Sequence, residues 1–369
     1  MTGPGMAAGG KRAPGRGVVL QGVDPPAGFC GMVSEIEDLG FSHLWLTDSS
    51  LHARNCYSYL TLAAAHSSRL LLGTAVTNPL TRHPAITAAA AATVDEVSDG
   101  RKILGIGAGD RPLLALGLRP SPLATLEAAI TAIRRLWAGE HADLDAPGFT
   151  LNGAHLRFPA RPGIQVFVSA SGPKTLELAG RVADGVILLV GLFPEALQWA
   201  VAQVERGARA AGRARPHIAV FAYGAIDEDE EQALAAARTI AAWFPQTAPH
   251  ICDLAGLPRE LAGRVREGYS GGEFQEASAA ARMLPDEFVR KVALAGNREH
   301  AAGRIGAALA AGADSVHVFP LGREHMQTVR AFAEVWPTAA GMAWTGPSAT
   351  AEPGATAGSS AGTEESHAG

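Results

Sequence analysis

From residue 17 to about 340, short apolar runs alternate with longer amphipathic ones. The apolar runs are GVVLQG (17–22), HLWLT (43–47), RLLLGTAV (69–76), KILGIGA (102–108), IQVFVSA (164–170), GVILLV (185–190), HIAVFAYG (217–224) and DSVHVFP (314–320). They are continuous rather than alternating in polarity, which suits strands covered on both faces, as in a parallel sheet. Amphipathic spacing predicts helices at 28–40, 84–98, 122–139, 173–183, 194–212, 227–244 and 297–313. Several of these open on a proline or an acidic cluster and several close on glycine, the usual start and stop signals. Eight strand-like runs, each followed by a helical run, predict an α/β fold of the (β/α)8 TIM-barrel type. A doubly wound sheet is the rival. The short, similar junctions DLGFSHLWL, RVADGVIL and AAGADSVHV favour the barrel, as quasi-repeated βα units would.

Two spacings are too long for plain βα units, so insertions are expected after strand four and after strand seven, the second at about 245–295. Long insertions at the C-terminal face of a barrel form lids and substrate walls. The ends read differently. Residues 1–16 are rich in Gly, Pro and Ala, and 341–369 have almost nothing large to bury, so both are expected to be disordered, with one domain over 17–340.

Composition narrows the function classes. The chain has 369 residues, 47% of them hydrophobic, and a net charge of −5 with no clustered basic patch, which argues against nucleic acid as a partner and for a small molecule. No window approaches the ~20 apolar residues of a membrane helix, and the basic N-terminus lacks the apolar segment of a secretory signal. A cytoplasmic protein with no membrane partner is expected. Cys30, Cys56 and Cys252 are too few and too widely spaced for a disulfide framework and are expected to be reduced thiols.

In a barrel the site is built at the C-terminal ends of the strands, where the chain offers Gln21, Asp24, Asp48, Ser49, Asp110 and Tyr223. None of the histidines has ligand spacing, so no metal is expected. Asp48 and Asp110 could face each other as a glycosidase pair, or be solvated loop residues. The segments GIGAGDRP and SASGPKTLELAG place small residues and backbone amides at a strand end and a helix start. That chemistry attracts phosphate, with Lys174 adding charge, although tight βα turns would read the same way.

The segments DLGFSHLWLTDS, LLLGTAVTNPLTRHPAITAAAAATVDEVSDGRKILGIGAGD, VFVSASGPKTLELAGRVADGVIL and EHAAGRIGAALAAGADSVHVFP together resemble the bacterial luciferase-like superfamily. Within it the chain is most similar to coenzyme F420-dependent oxidoreductases related to methylenetetrahydromethanopterin reductase. The resemblance covers about 17–340. It implies a barrel with a late insertion, hydride transfer between the deazaflavin and a small substrate at a C=C, C=N or carbinol carbon, and a homodimer. It also implies a bulge with a non-prolyl cis peptide at Ala75–Val76 that backs the cofactor ring. By the same resemblance Asp48 lies at the ring's polar edge, Thr77 and Asn78 flank the bulge, and Gly107, Ala108 and Gly109 approach the ring. Ala170, Ser171, Gly172, Pro173 and Lys174 bind the phosphate region, and Asp184 and Gly185 close a neighbouring turn. Asp48 and Asp110 are the candidate proton-transfer residues. The chain departs from the family where it has Ser49 in place of a histidine, Gln21 in place of an acidic residue, and Arg111, a candidate for binding substrate or the cofactor's acidic tail. Alternatives within reach are an FMN-dependent monooxygenase using oxygen, and a non-catalytic flavin-binding relative that would lack the late insertion.

Overall fold

A computed structural model describes residues 13–49, 51–269, 274–322 and 324–339. In chain order its strands are β1 (Gly15–Leu20), β2 (His43–Leu46), β3 (Leu71–Thr74), β4 (Lys102–Ile106), β5 (Ala142–Ala146), β6 (Phe149–Ala154), β7 (Gln165–Ala170), β8 (Gly185–Leu188), β9 (His217–Ile226), β10 (Leu294–Gly296) and β11 (Ser315–Pro320). Eight of them pair parallel in the order β1-β2-β3-β4-β7-β8-β9-β11 and close through β11 against β1. This is the (β/α)8 barrel, with β10 added along β9 by parallel pairing.

The alternation of side chains along each strand divides the core in two. Outward residues such as Leu44, Leu72, Leu104 and Val166 pack with the surrounding helices in one large cluster. Inward residues Val19, Trp45, Ile103, Phe167, Ile187, Ala219 and Phe221 form a separate plug on the barrel axis. Below the plug, at the N-terminal end of the strands, a polar layer is fully satisfied. The Trp45 indole N–H donates to His317 Nδ1 at 3.0 Å, which leaves His317 Nε2 to donate to Ser315 Oγ at 2.7 Å, and Ser315 Oγ lies 2.7 Å from His217 Nε2.

The expected helices are present at Pro26–Asp38, Pro84–Val97, Leu123–Trp137, Pro173–Val182, Pro194–Ala210, Glu230–Ala241 and Arg298–Ala310. Three elements go beyond that reading. The helix Cys56–Ala65 has the sequence CYSYLTLAAA, with no charged residue to mark an outer face, and is started by Asn55, whose Oδ1 accepts from Ser58 N at 3.1 Å. The insertion after β4 contains the antiparallel hairpin β5–β6, turning at Pro147-Gly148 where Gly148 has φ 92°. The helix His325–Ala339 closes the chain's described part.

The barrel also starts earlier than expected. β1 begins at Gly15 because Gly15 and Arg16 already pair with Ser315 and Val316, and the Arg16 guanidinium donates to the carbonyls of Leu39, Gly40 and Ala333. Residues 1–12 and 340–369, which carry most of the expected disordered ends, lie outside the described residues. The three cysteines are unpaired, and burial pushes the Cys252 thiol up to about 12. No described helix is long and apolar enough to cross a membrane, and no group of three metal-binding side chains occurs among the described residues.

Candidate active site

A cavity of about 510 Å³ opens at the C-terminal end of the barrel. Its floor is the top of the axial plug, and its walls come from strand ends β1, β2, β3, β4, β7, β8, β9 and β11 together with the late insertion. One wall of the cavity is set by how β3 ends. Gly73 pairs with Ile103, whereas Thr77 bridges to Ile106, so four steps along β3 match three along β4. The extra residue makes a β-bulge, and within it the Ala75–Val76 peptide is cis. Hydrogen bonds hold the bulge from both neighbours: Ala75 N donates to Leu46 O (2.7 Å), Thr77 N to Gly105 O (3.0 Å) and Gly107 N to Thr77 O (2.9 Å).

The turn after the bulge is fixed residue by residue. Asn78 Oδ1 accepts from Leu80 N at 3.0 Å and Thr81 N at 2.9 Å, an Asx turn. His83 caps the helix Pro84–Val97, its Nδ1 accepting from Ala85 N at 3.2 Å, while its Nε2 lies 3.1 Å from Thr150 O on the hairpin. Between them Arg82 reaches back over the Tyr57 ring, at 4.7 Å, and donates to both oxygens of Asp48, at 2.5 and 3.4 Å. Asp48 is only 6% exposed. Its charge and that hydrogen bond raise the Arg82 pKa against the opposing pull of burial.

Across the cavity, the helix Pro173–Val182 points its N-terminus at the rim. Gly172 is the capping residue and supplies no side-chain cap, so the first-turn amides of Lys174 and Thr175 face outward unsatisfied by side chains, where the dipole favours an anion. The insertion after β9 folds over this side. Trp243, Gln246 and Thr247 line the cavity, and His250, tilted against Trp199 with ring centroids 4.8 Å apart, places Nε2 2.7 Å from Ser171 O.

Six buried side-chain polar atoms have no hydrogen-bond partner among the described residues, and one of them belongs to a residue that lines the cavity. Thr47, 8% exposed, lines the cavity at the end of β2 and its Oγ1 makes no hydrogen bond among the described residues. Such a hydroxyl costs about 1–3 kcal/mol unless a ligand or water completes it.

The sequence model of the family described as Luciferase-like monooxygenase matches residues 8–315 of the chain. The chain belongs to the luciferase-like monooxygenase family. It is 34% identical over 274 residues to 5,10-methylenetetrahydromethanopterin reductase of Methanolobus tindarius, covering 73% of this chain and 82% of that protein. It is 32% identical over 302 residues to the reductase of the same name from Archaeoglobus fulgidus, covering 80% and 90%. Among solved structures it superposes on the coenzyme F420-dependent tetrahydromethanopterin reductase from Methanopyrus kandleri with a TM-score of 0.77 at 27% identity, covering 88% of this chain and 98% of that one.

Of the residues expected at the site of this luciferase-like barrel, Asp48, Ala75, Val76, Asn78, Gly107, Ala108, Gly109, Asp110, Ala170, Ser171 and Gly172 line one cavity. Thr77 does not: it is fully buried behind the bulge, its Oγ1 accepting from Arg82 Nη1 at 3.4 Å. Pro173 and Lys174 stand exposed on the rim, outside the lining. Asp184 and Gly185 are misplaced by the sequence reading. They precede β8, at the opposite end of the barrel, where Asp184 pairs with Arg134 at 2.8 Å and accepts from Val166 N at 2.9 Å; the turn is structural because it starts a strand rather than ending one. The Arg111 side chain lies outside the described residues. Sequence reasoning missed Arg82, Thr47 and the insertion residues Trp243, Gln246 and Thr247. Arg82 sits five residues beyond the strand end, and no pattern in the insertion marks which turn of helix meets the cavity.

Proposed function

We propose that the chain is a coenzyme F420-dependent oxidoreductase that moves a hydride between the deazaflavin and a small organic substrate, and that it works as a homodimer. The observation that carries this reading is the pairing, across one cavity, of the bulge at Ala75–Val76 with an uncapped helix N-terminus. The residues fit such a cofactor. A Cβ on Gly107 would stand 3.0 Å from Val76 Cγ2, so a side chain there would crowd the bulge, and the glycine run lets a planar ring approach the backbone. Ser171, Gly172 and the Lys174 and Thr175 amides would hold the phosphate, with Lys174 adding charge. When bound, the deazaflavin supplies or accepts a hydride at a ring carbon.

The chain's own residues supply position and proton handling. Ala75 and Val76 back the ring, and the aromatic wall of Phe221, Tyr223, Phe319 and Trp243 excludes water from the transfer path. Asp48 has both carboxylate oxygens engaged by Arg82 and serves to orient. Asp110, exposed at the mouth, is the group placed to hand a proton to the substrate heteroatom from its carboxyl oxygen, or to take one in the reverse direction.

Gly172→Asp separates binding from folding. Nothing lies within 4 Å of a Cβ at Gly172, and Asp is a good N-cap, so the protein should melt no lower than the parent. Its carboxylate would claim the first-turn amides and repel phosphate, and F420 affinity should fall at least about tenfold, roughly one charge-assisted hydrogen bond. Unchanged affinity would remove this helix from the site.

A further inference from the structure

Thr47 and Gln21 occupy neighbouring, inward-facing positions. Val19 pairs with Trp45 and Leu20 with Leu46 in the β1–β2 register, and Thr47 N continues the ladder to Leu20 O at 3.0 Å. Val19 and Trp45 belong to the axial plug. Two residues further along each strand, Gln21 and Thr47 therefore stand side by side one layer above it, and both line the cavity. They lie between Asp48 and Phe319, on strands across the barrel from β7 and the helix Pro173–Val182 that follows it.

The charges there are also informative. Among the described residues lining the cavity there is no lysine, arginine or histidine, and the acidic ones are Asp48, already matched by Arg82, and Asp110. Gln246 donates its amide N–H to the carbonyls of Arg266 (2.9 Å) and Tyr269, which leaves its oxygen as an acceptor on the insertion side. Away from the N-terminus of the helix Pro173–Val182, the described lining offers neutral hydrogen bonds and aromatic surface, and no cationic side chain to match a substrate anion.

We propose that Thr47 and Gln21 together hold the oxygen or nitrogen of the function that exchanges hydride, and that this function is uncharged: a carbonyl, its carbinol, or an imine. The proposal rests on the F420 reading above. In the reducing direction the carbon gains a hydride, two electrons and a proton's mass, from the reduced deazaflavin, which is oxidised by two electrons. The π bond opens onto the heteroatom, and that atom takes one proton by way of Asp110. The Thr47 hydroxyl and the Gln21 amide donate to the heteroatom as negative charge builds on it, which is where fixed donors act most strongly. Neither gives up its proton. They are specificity-determining residues, and among the unpartnered buried atoms of the described residues Thr47 Oγ1 is the one whose residue lines the cavity.

The test uses the full chain loaded with F420, probed with cyclohexanone, cyclohexanol and cyclohexenone and, as the charged counterpart, cyclohexanecarboxylate. Binding is read from the change in cofactor fluorescence, beside the F420 dissociation constant and the melting temperature of the ligand-free protein. The parent should answer at least one neutral probe and not the carboxylate. Thr47→Val should keep the F420 constant within about twofold, melt no lower than the parent because it deletes an unpaired hydroxyl, and bind the neutral probe about tenfold more weakly. Thr47→Ser should restore the probe affinity, and Gln21→Met should reproduce the loss. The proposal is overturned if Thr47→Val binds the probe as the parent does, or if it loosens F420 itself, since the hydroxyl would then serve the cofactor. A parent that prefers the carboxylate, or answers none of the neutral probes, also contradicts it. Failure of the underlying F420 reading shows separately, as a parent that takes up no F420 in the first titration.

Discussion

Asp48 illustrates how one side chain's neighbours decide its role. Read alone, an aspartate in a TDSS turn at a strand end is equally a cap, a base or a solvated charge; Arg82, brought back by the Asx turn at Asn78, makes it half of a shielded ion pair. Because Asp48 is buried and Arg82 mostly so, removing one partner strands the other. Arg82→Met should destabilise the protein by about 3 kcal/mol, whereas the double variant Asp48→Asn with Arg82→Met should recover most of that loss, measured by denaturant titration. Equal stability of parent and single variant would contradict the pair's burial. The histidines under the plug give a second prediction at this scale. Burial, with the nearby His217 charge, lowers His43 to about 3, and burial lowers His317 well below its ordinary value. In the unfolded chain each takes up a proton near pH 6.5, and in the folded protein it does not. Between about pH 6.5 and 3 the unfolded state therefore binds more protons, and stability falls as pH falls, by about 1.4 kcal/mol per pH unit for each histidine once it is protonated in the unfolded chain. A flat stability profile from pH 6.5 to 5 would contradict neutral burial.

At the scale of elements, the bulge is a product of its surroundings. The stretch TAVTNP leaves β3, rejoins β4 one residue out of step, and is propped from outside by the hairpin. Thr125 Oγ1 donates to Pro147 O at 2.8 Å, and the His83 ring meets the Phe149 edge at 5.7 Å. Gly107→Ala should crowd the bulge: its Cβ would lie 3.0 Å from Val76 Cγ2 and 3.4 Å from Ser169 Cβ. F420 affinity should drop several-fold while stability changes by less than about 1 kcal/mol, since small side-chain shifts can relieve the contact. Affinity equal to the parent's would place the ring elsewhere. The strands were legible because parallel strands buried on both faces read as unbroken apolar runs, and runs such as KILGIGA and GVILLV fall on β4 and β8. The Cys56–Ala65 helix was not, because a segment of small and apolar residues has no polar face to give a period of 3.6. The hairpin carries a signal in the sequence, a Pro-Gly turn between alternating residues, but its strands are half exposed and lack the unbroken apolar run of a barrel strand. Likeness of motif alone puts Asp184 at the site; its position just before β8, at the N-terminal end of the barrel, decides against it.

For the molecule as a whole, the barrel explains why these residues meet at all. Gln21, Asp48, Gly107, Ser171, Tyr223 and Phe319 are scattered over some three hundred positions, and the closed parallel sheet brings every strand's C-terminal end to one rim. The insertion after β9 then roofs part of that rim and is tied to it where His250 Nε2 lies 2.7 Å from Ser171 O. The strand ends were readable from the sequence, and with them most of the cavity. The roof was not, because which turn of an inserted helix faces inward depends on packing that no local pattern encodes. The central claim is that this cavity is built for a deazaflavin. The direct measurement is a pair of equilibrium titrations of the purified protein, one with F420 followed by its fluorescence and one with FMN, under the same buffer and salt. The account predicts saturable F420 binding at least about a hundredfold tighter than FMN, a difference of about 3 kcal/mol; tight FMN binding with no F420 binding would contradict it.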